Sequence, residues 1–307
     1  MGFRNRNLIS ILDLSRKDIE YIFKRTDQMV SLLKERRTLN YLSGKIVSLL
    51  FLEPSTRTMY SFQAATYRLG GKALVFASKT TTSLAKGENI GDTIRMMSAY
   101  SDLIVIRSPY DGTALYASMI SSVPIINAGD GKHEHPTQAL IDLYTIYKLK
   151  GRIDGLIIGV LGDLKYARTI ASLLYGLSRF NPKKVYLISP GNLTLRESVR
   201  ERLKELGLRV EEVRDLREII HELDVLYVTR IQRERYPDPE EYERVKNAFK
   251  ITLNLLKNAK PDLKILHPLP KLDEIERKID NTKYAAYFYQ ASLGVPVRMA
   301  LLASILG

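Results

Sequence analysis

The sequence predicts an α/β fold: two parallel-sheet α/β domains with helices on both faces, and a C-terminal helix packing back on the first domain. Three observations predict it. Short apolar runs recur along the chain, and each is followed by a stretch of helical periodicity. Strand-like and helical stretches alternate nearly one for one, the pattern of β-α-β units and a parallel sheet. The 307 residues carry two such series, which suggests about two domains.

The elements follow in order. Ser15-Arg-Lys-Asp18 reads as a capping box opening a helix to about residue 36. A strand is predicted over 46–52 and a helix over 59–69, which stops at Gly70-Gly71. Then come a strand at 73–76, a helix at 90–100, a strand at 103–106, a helix at 113–121 and a strand at 124–127. A helix over 137–149 leads to the second series. Its strands are predicted at 156–161, 185–188, 209–213, 225–229 and 265–267, with helices at 167–178, 195–206 and 216–222. The last helical run, 295–306, is apolar on more than one side and is therefore expected to be buried. The expected domains are 1–135 together with 292–307, and 136–291. The charged stretch 232–250 is the largest irregular region and is expected as a loop before a helix.

Composition narrows the function. There is no cysteine, so disulfides, thiol nucleophiles and thiolate metal sites are excluded. The four histidines show no metal-ligand spacing, and no metal and no cofactor is expected. No apolar run approaches a membrane span, and the basic start at 1–6 is not followed by a signal-type apolar segment, so a cytoplasmic chain without membrane partners is expected. The net charge of +13 suits anionic partners, but the basic residues are interleaved with acidic ones and no aromatic-basic RNA motif is present. A nucleic-acid-binding protein has charge as its only support.

Residues 45–58 read KIVSLLFLEPSTRT, a buried-type strand running into three hydroxyls around an arginine at a helix start. Free backbone N–H groups and the helix dipole favour an anion there, and phosphate is the best fit. Ser55, Thr56 and Thr58 add neutral donors, and Arg57 adds a bidentate clamp. Capping accounts for one such hydroxyl, not three. Ligands of parallel sheets bind beyond the carboxyl ends of the strands. Arg57, Arg107, Arg168 and Arg230 all fall there, and the last two suit a dicarboxylate. A single surface arginine is as often a salt-bridge partner, and Glu53 and Arg235 are candidate structural partners of this set. His135 sits at a helix start, which disfavours its imidazolium and leaves a neutral donor for a carbonyl, while Gln138 can bond an amide. His133 is assigned to solvent, and His221 and His267 to structure. The glycines of 155–163 lack dinucleotide spacing, so no nicotinamide is expected.

Together these residues resemble the aspartate/ornithine carbamoyltransferase family. The matching stretches are FLEPSTRT at 51–58, SLAKGE at 83–88, IRSP at 106–109, GDGKHEHPTQ at 129–138, LGDLKYARTIASL at 161–173, YVTRIQRER at 227–235 and LHPLP at 266–270. The resemblance implies carbamoyl transfer from carbamoyl phosphate to an amino acid. It implies that Ser55, Thr56, Arg57 and Thr58 hold the phosphate, and that Arg107, His135 and Gln138, with Thr58, hold the carbamoyl group. Lys86 would come from a neighbouring subunit of a homotrimer with shared active sites, and regulatory chains are possible partners. Arg168, Arg230 and Gln232 would hold the carboxylates of L-aspartate, and the Leu269 carbonyl would face the substrates. Domain closure is a further expectation. The loop at 83–88 departs from some relatives in carrying one lysine, Lys86, before its glycine. The ornithine-specific branch of the family is the nearest rival, but its cysteine-containing HCLP segment is His267-Pro-Leu-Pro270 here, and no SMG loop is present. An inactive homologue is disfavoured, because no site residue is missing.

Overall fold

The computed structural model describes residues 2–35, 39–76, 86–231, 238, 240, 243 and 249–307. They form two compact units, residues 1–141 with 293–307, and residues 142–292.

In the first unit, α1 (Arg16–Lys34) begins as the capping box predicts: Ser15 Oγ accepts from the Asp18 N–H, and the Asp18 carboxylate accepts from the Ser15 N–H. The sheet holds β1 (Ile46–Phe51), β2 (Lys72–Phe76), β3 (Leu103–Ser108) and β4 (Ile125–Asp130) in the order β2-β1-β3-β4. Every pairing in it is parallel. Its helices are α2 (Thr56–Arg68), α3 (Ile90–Tyr100) and α4 (Thr113–Ile120). α2 starts three residues earlier than the sequence suggests, so Thr56, Arg57 and Thr58 form its first turn. Right-handed crossovers explain the layering. The chain steps one way from β1 to β2 and back across the sheet to β3, so α2 covers one face and α3 with α4 the other.

α5 (Pro136–Lys150) carries the border between the units. In the second unit the strands are β5 (Ile157–Leu161), β6 (Lys184–Ile188), β7 (Glu211–Val213), β8 (Val225–Val228) and β9 (Lys264–Leu266), in the order β7-β6-β5-β8-β9, again all parallel. β5 and β8 are buried along their whole length, which is why they read as unbroken apolar runs. Gly162 follows β5 at φ +124°, and a Cβ there would collide with the Thr229 carbonyl. The glycine therefore serves close strand packing, not a dinucleotide.

The helices here are α6 (Arg168–Leu177), α7 (Glu197–Glu205) and α8 (Tyr287–Ser292). The helix expected at 216–222 is only a 3-10 turn, Leu216–Glu218. Leu216, Ile219, Ile220 and Leu223 are buried while Arg217, Glu218 and His221 are exposed, the stripe that suggested a helix, but the backbone leaves helical geometry at Ile219, with φ −123° and ψ −7°. His221, expected in that helix, is exposed in a turn. Most of 232–250, with Gln232 and Arg235, lies outside the described residues, as do residues 36–38 at the expected end of α1.

α9 (Gly294–Ile305) returns to the first unit and packs on α1 and α2. Every described residue from Pro296 to Ile305 is buried, Arg298 included. The Arg298 guanidinium lies 4.8 Å from the centroid of the Phe62 ring of α2, and its Nη1 donates to the Gly294 carbonyl at 3.3 Å. The aromatic face and the carbonyl offset the desolvation of the charge. No helix among the described residues is long and apolar enough to cross a membrane.

Candidate active site

The first unit brings three loops to one edge of its sheet. β1, β3 and β4 are neighbours, so their carboxyl ends lie side by side. β1 leads into Ser55–Thr58. Ser55 stands at the N-cap of α2 with φ −160° and ψ 88°, and its side chain makes no cap hydrogen bond. Ser15 and Asn89 do cap α1 and α3 with their side chains. The start of α2 thus keeps first-turn N–H groups for an anion. Thr58 is buried, and Thr56 and Arg57 are exposed. Ser61 Oγ donates to the carbonyls of Arg57, at 2.5 Å, and Thr58, at 3.0 Å, holding the turn. Partial burial draws the Arg57 guanidinium below its ordinary pKa.

Arg107 lies within the last residues of β3, opposite Phe51 of β1. Ile106 pairs with Asn127 and Ser108 with Asp130, so the register shifts opposite Arg107 and β4 carries the extra residue. Arg107 Nε is 2.8 Å from Glu53 Oε1, and Nη1 donates to the Ala128 carbonyl at 3.1 Å. Glu53 is the structural partner the sequence suggested.

Beyond β4, Asp130 organises the turn. Its carboxylate accepts from Asn127 Nδ2 at 2.9 Å and from the Gly112 N–H at 3.0 Å, and it lies 3.5 Å from His133 Nδ1. His133 is exposed, as expected, but not idle. The Asp130 partner raises its pKa, while burial, which would raise the Asp130 carboxyl, is outweighed by His133 and Asn127 and leaves that carboxyl lowered. His135 is buried at the start of α5, its Nδ1 3.4 Å from Thr137 Oγ1, and Gln138 follows in the first turn. Lys86 is exposed.

The second unit sets another group along the carboxyl ends of β5, β8 and β9. Arg168 opens α6 and Arg230 follows β8, both half-buried. Asp163 is buried and shapes the turn before Arg168 by accepting from the N–H groups of Lys165 and Tyr166 at 3.1 and 2.9 Å. A small cleft here is lined by Leu161, Thr229, Ile231, Leu272 and Glu274 among others. Leu269, after β9, has φ +59° and precedes a cis bond to Pro270. A left-handed leucine costs roughly 1–2 kcal/mol, so its surroundings must hold it. A larger polar cleft, with Arg4, Lys45, Asp102 and Ser121 in its lining, lies at the amino ends of the first sheet, away from this chemistry.

The sequence reading missed a buried polar group around Leu269. Tyr227 Oη donates to Asp142 Oδ2 at 2.8 Å, and Gln290 Nε2 donates to Asp142 Oδ1 at 2.6 Å. Burial and the Asp142 charge push the Tyr227 pKa well up. Glu274 accepts from the Leu272 N–H at 3.0 Å. Burial would raise its carboxyl, but His267 and the backbone donors outweigh it and leave it lowered. The available signal was Asp142 itself, one carboxylate within an apolar helical stretch.

These features define a two-unit α/β protein with a phosphate-type helix start in one unit and an arginine-bearing edge in the other. Residues 6–148 match the family model described as aspartate/ornithine carbamoyltransferase, carbamoyl-P binding domain, and residues 154–305 match the Asp/Orn binding domain of the same family. The chain belongs to the aspartate/ornithine carbamoyltransferase family. It is 66% identical over 307 residues to the aspartate carbamoyltransferase catalytic subunit of Staphylothermus marinus, covering 100% of this chain and 99% of that protein. It is 54% identical to that of Hyperthermus butylicus, covering 100% and 98%. Among solved structures, the catalytic subunit of M. jannaschii aspartate transcarbamoylase superimposes with a TM-score of 0.89 at 46% identity, covering 97% of each chain. The Trypanosoma cruzi enzyme in complex with N-(phosphonacetyl)-L-aspartic acid superimposes with a TM-score of 0.95 at 37% identity, covering 99% of this chain and 97% of that one.

Proposed function

We propose that this chain transfers the carbamoyl group of carbamoyl phosphate to the amine of L-aspartate, giving N-carbamoyl-L-aspartate and phosphate for pyrimidine biosynthesis. The observation that carries the reading is the start of α2: a helix N-terminus without a side-chain cap, bearing Ser55, Thr56, Arg57 and Thr58 directly after β1. Its N–H groups and Arg57 suit the phosphate. Arg107, His135 and Gln138, with Thr58, take the carbamoyl group and stabilise the oxyanion that forms when the amine attacks. Arg168, Arg230 and Gln232 take the two carboxylates of aspartate, and the Leu269 carbonyl accepts from the reacting group. Phosphate leaves and accepts the amine proton. Orientation and charge balance suffice for this reaction, so these residues call on no metal or cofactor. Residues 1–135 with 292–307 would be the carbamoyl phosphate domain and 136–291 the aspartate domain.

The family resemblance also carries a cytoplasmic homotrimer in which Lys86 serves a neighbour's site. Exposed apolar residues on one edge of the first unit support a subunit contact: Leu74 and Val75 on the edge strand β2, and Tyr60 and Tyr67 on α2 beside it. The relatives' name, catalytic subunit, supports a regulatory partner chain. The test of the activity is a carbamoyl-transfer assay with aspartate and ornithine side by side. Product with aspartate alone is expected. Turnover of ornithine in place of aspartate would reassign the acceptor.

A further inference from the structure

We propose that His267 is a positioning residue: a neutral imidazole, protonated on Nε2, that fixes the Leu269 backbone for the reaction. The proposal rests on the role given to the Leu269 carbonyl above. The Leu269 N–H donates to His267 Nδ1 at 2.8 Å. A ring nitrogen that accepts carries no proton, so the proton is on Nε2. Nε2 lies 2.8 Å from Glu274 Oε1, so its proton faces that carboxylate. The same carboxylate also accepts from the Leu272 N–H, which ties the far side of the Leu269–Pro270 turn to the ring.

The backbone of His267 is held as well. Its N–H donates to Gln290 Oε1 at 2.8 Å, and Gln290 is fixed in turn by Asp142. His267, Gln290 and Asp142 are 2%, 1% and 0% exposed, so water cannot replace these partners. A histidine that only fills the core needs its nitrogens satisfied by any group at hand. This one uses Nδ1 on the residue two positions ahead, whose left-handed φ of +59° sets where its carbonyl points.

Two variants separate positioning from packing. His267→Asn places an amide oxygen where Nδ1 stands and keeps the acceptor for Leu269. His267→Gln places an amide nitrogen where Nε2 stands and keeps only the Glu274 contact. Turnover is expected to fall about threefold or less in His267→Asn, and tenfold or more in His267→Gln, from loss of the buried Leu269 bond. Thermal unfolding of both variants checks that they fold. Nitrogen-15 NMR of the unaltered protein is expected to show a His267 ring protonated on Nε2 alone. Equal losses in the two variants, or a proton on Nδ1, would overturn the proposal. A parent chain without carbamoyl transfer would instead overturn the function reading, and the Leu269 role with it. An active parent with equal variants sinks only the role of His267.

Discussion

Arg107 and Glu53 form an ion pair, Nε to Oε1 at 2.8 Å, that joins the end of β3 to the segment leaving β1. Both side chains are mostly buried, at 15% and 19% exposure, so the pair is less screened than a surface bridge. Glu53 consumes one side of the guanidinium and Ala128 another, which fixes the plane of Arg107. Glu53→Gln removes the charge but keeps the shape. Turnover is expected to fall by roughly tenfold, because a misaimed oxyanion donor loses transition-state stabilisation. The KM for aspartate should change little. Unchanged turnover would show that Arg107 is aimed without Glu53, by its strand and the Ala128 carbonyl alone.

Arg168 and Arg230 occupy the ends of neighbouring strands, after β5 and β8. If each holds a carboxylate of aspartate, Arg168→Ala and Arg230→Ala should raise the KM for aspartate by roughly tenfold to a hundredfold, the loss of one charge-assisted pair. The affinity for carbamoyl phosphate should move far less. Steady-state kinetics with each substrate varied in turn decides it. Equal weakening of both substrates would take these arginines out of the acceptor site.

His133 and Asp130 give a pH-dependent term in stability. His133 is raised in the folded state, so its contribution is complete below the unfolded histidine pKa of about 6.5 and is lost as pH rises through the folded value. Asp130 is lowered, so its contribution is complete above the unfolded aspartate pKa of about 3.9 and is lost as pH falls through the folded value. Both are present near pH 5.5. His133 is 49% exposed, and solvent screening limits the pair to about 0.5–1 kcal/mol. His133→Ala should therefore destabilise more at pH 5.5 than at pH 9 in urea unfolding. The same loss at both pH values would remove the ion pair from the account.

Much of this architecture was legible because parallel strands buried on both faces leave short apolar runs, as at β1, β3, β5 and β8. The residues at their carboxyl ends, Arg57, Arg107, Arg168 and Arg230, could be placed from that pattern alone. What failed had tertiary causes. Around the 3-10 turn at Leu216–Glu218 the buried residues Leu216, Ile219, Ile220 and Leu223 keep helical spacing, but the backbone leaves helical geometry at Ile219. α8 is rich in aromatic residues that favour strands, and it was not foreseen. His267 looked structural because the bond that distinguishes it, from the Leu269 N–H to Nδ1, is set by the local path of the loop, which no residue pattern announces. Asp142, a carboxylate inside an apolar stretch, signalled a network without naming its members, because Tyr227 and Gln290 are 85 and 148 residues away.

Lys86 provides the test of subunit sharing. It is exposed in the described chain, after the edge strand β2 and close in sequence to α3. A lysine that serves its own site needs no second subunit, whereas one supplied by a neighbour makes every site depend on two chains. Lys86→Ala and Arg57→Ala are each expected to be nearly inactive alone. Unfolded together and reassembled, they form mixed trimers. In a cyclic trimer, each mixed ring has one junction where an intact Arg57 meets an intact Lys86 from the next subunit, whichever variant is in the majority. Random assembly of equal amounts should thus restore roughly a quarter of the parent activity. Native mass spectrometry must show the hybrids in the same sample. Hybrids without recovered activity would mean that Lys86 acts within its own subunit or at no site.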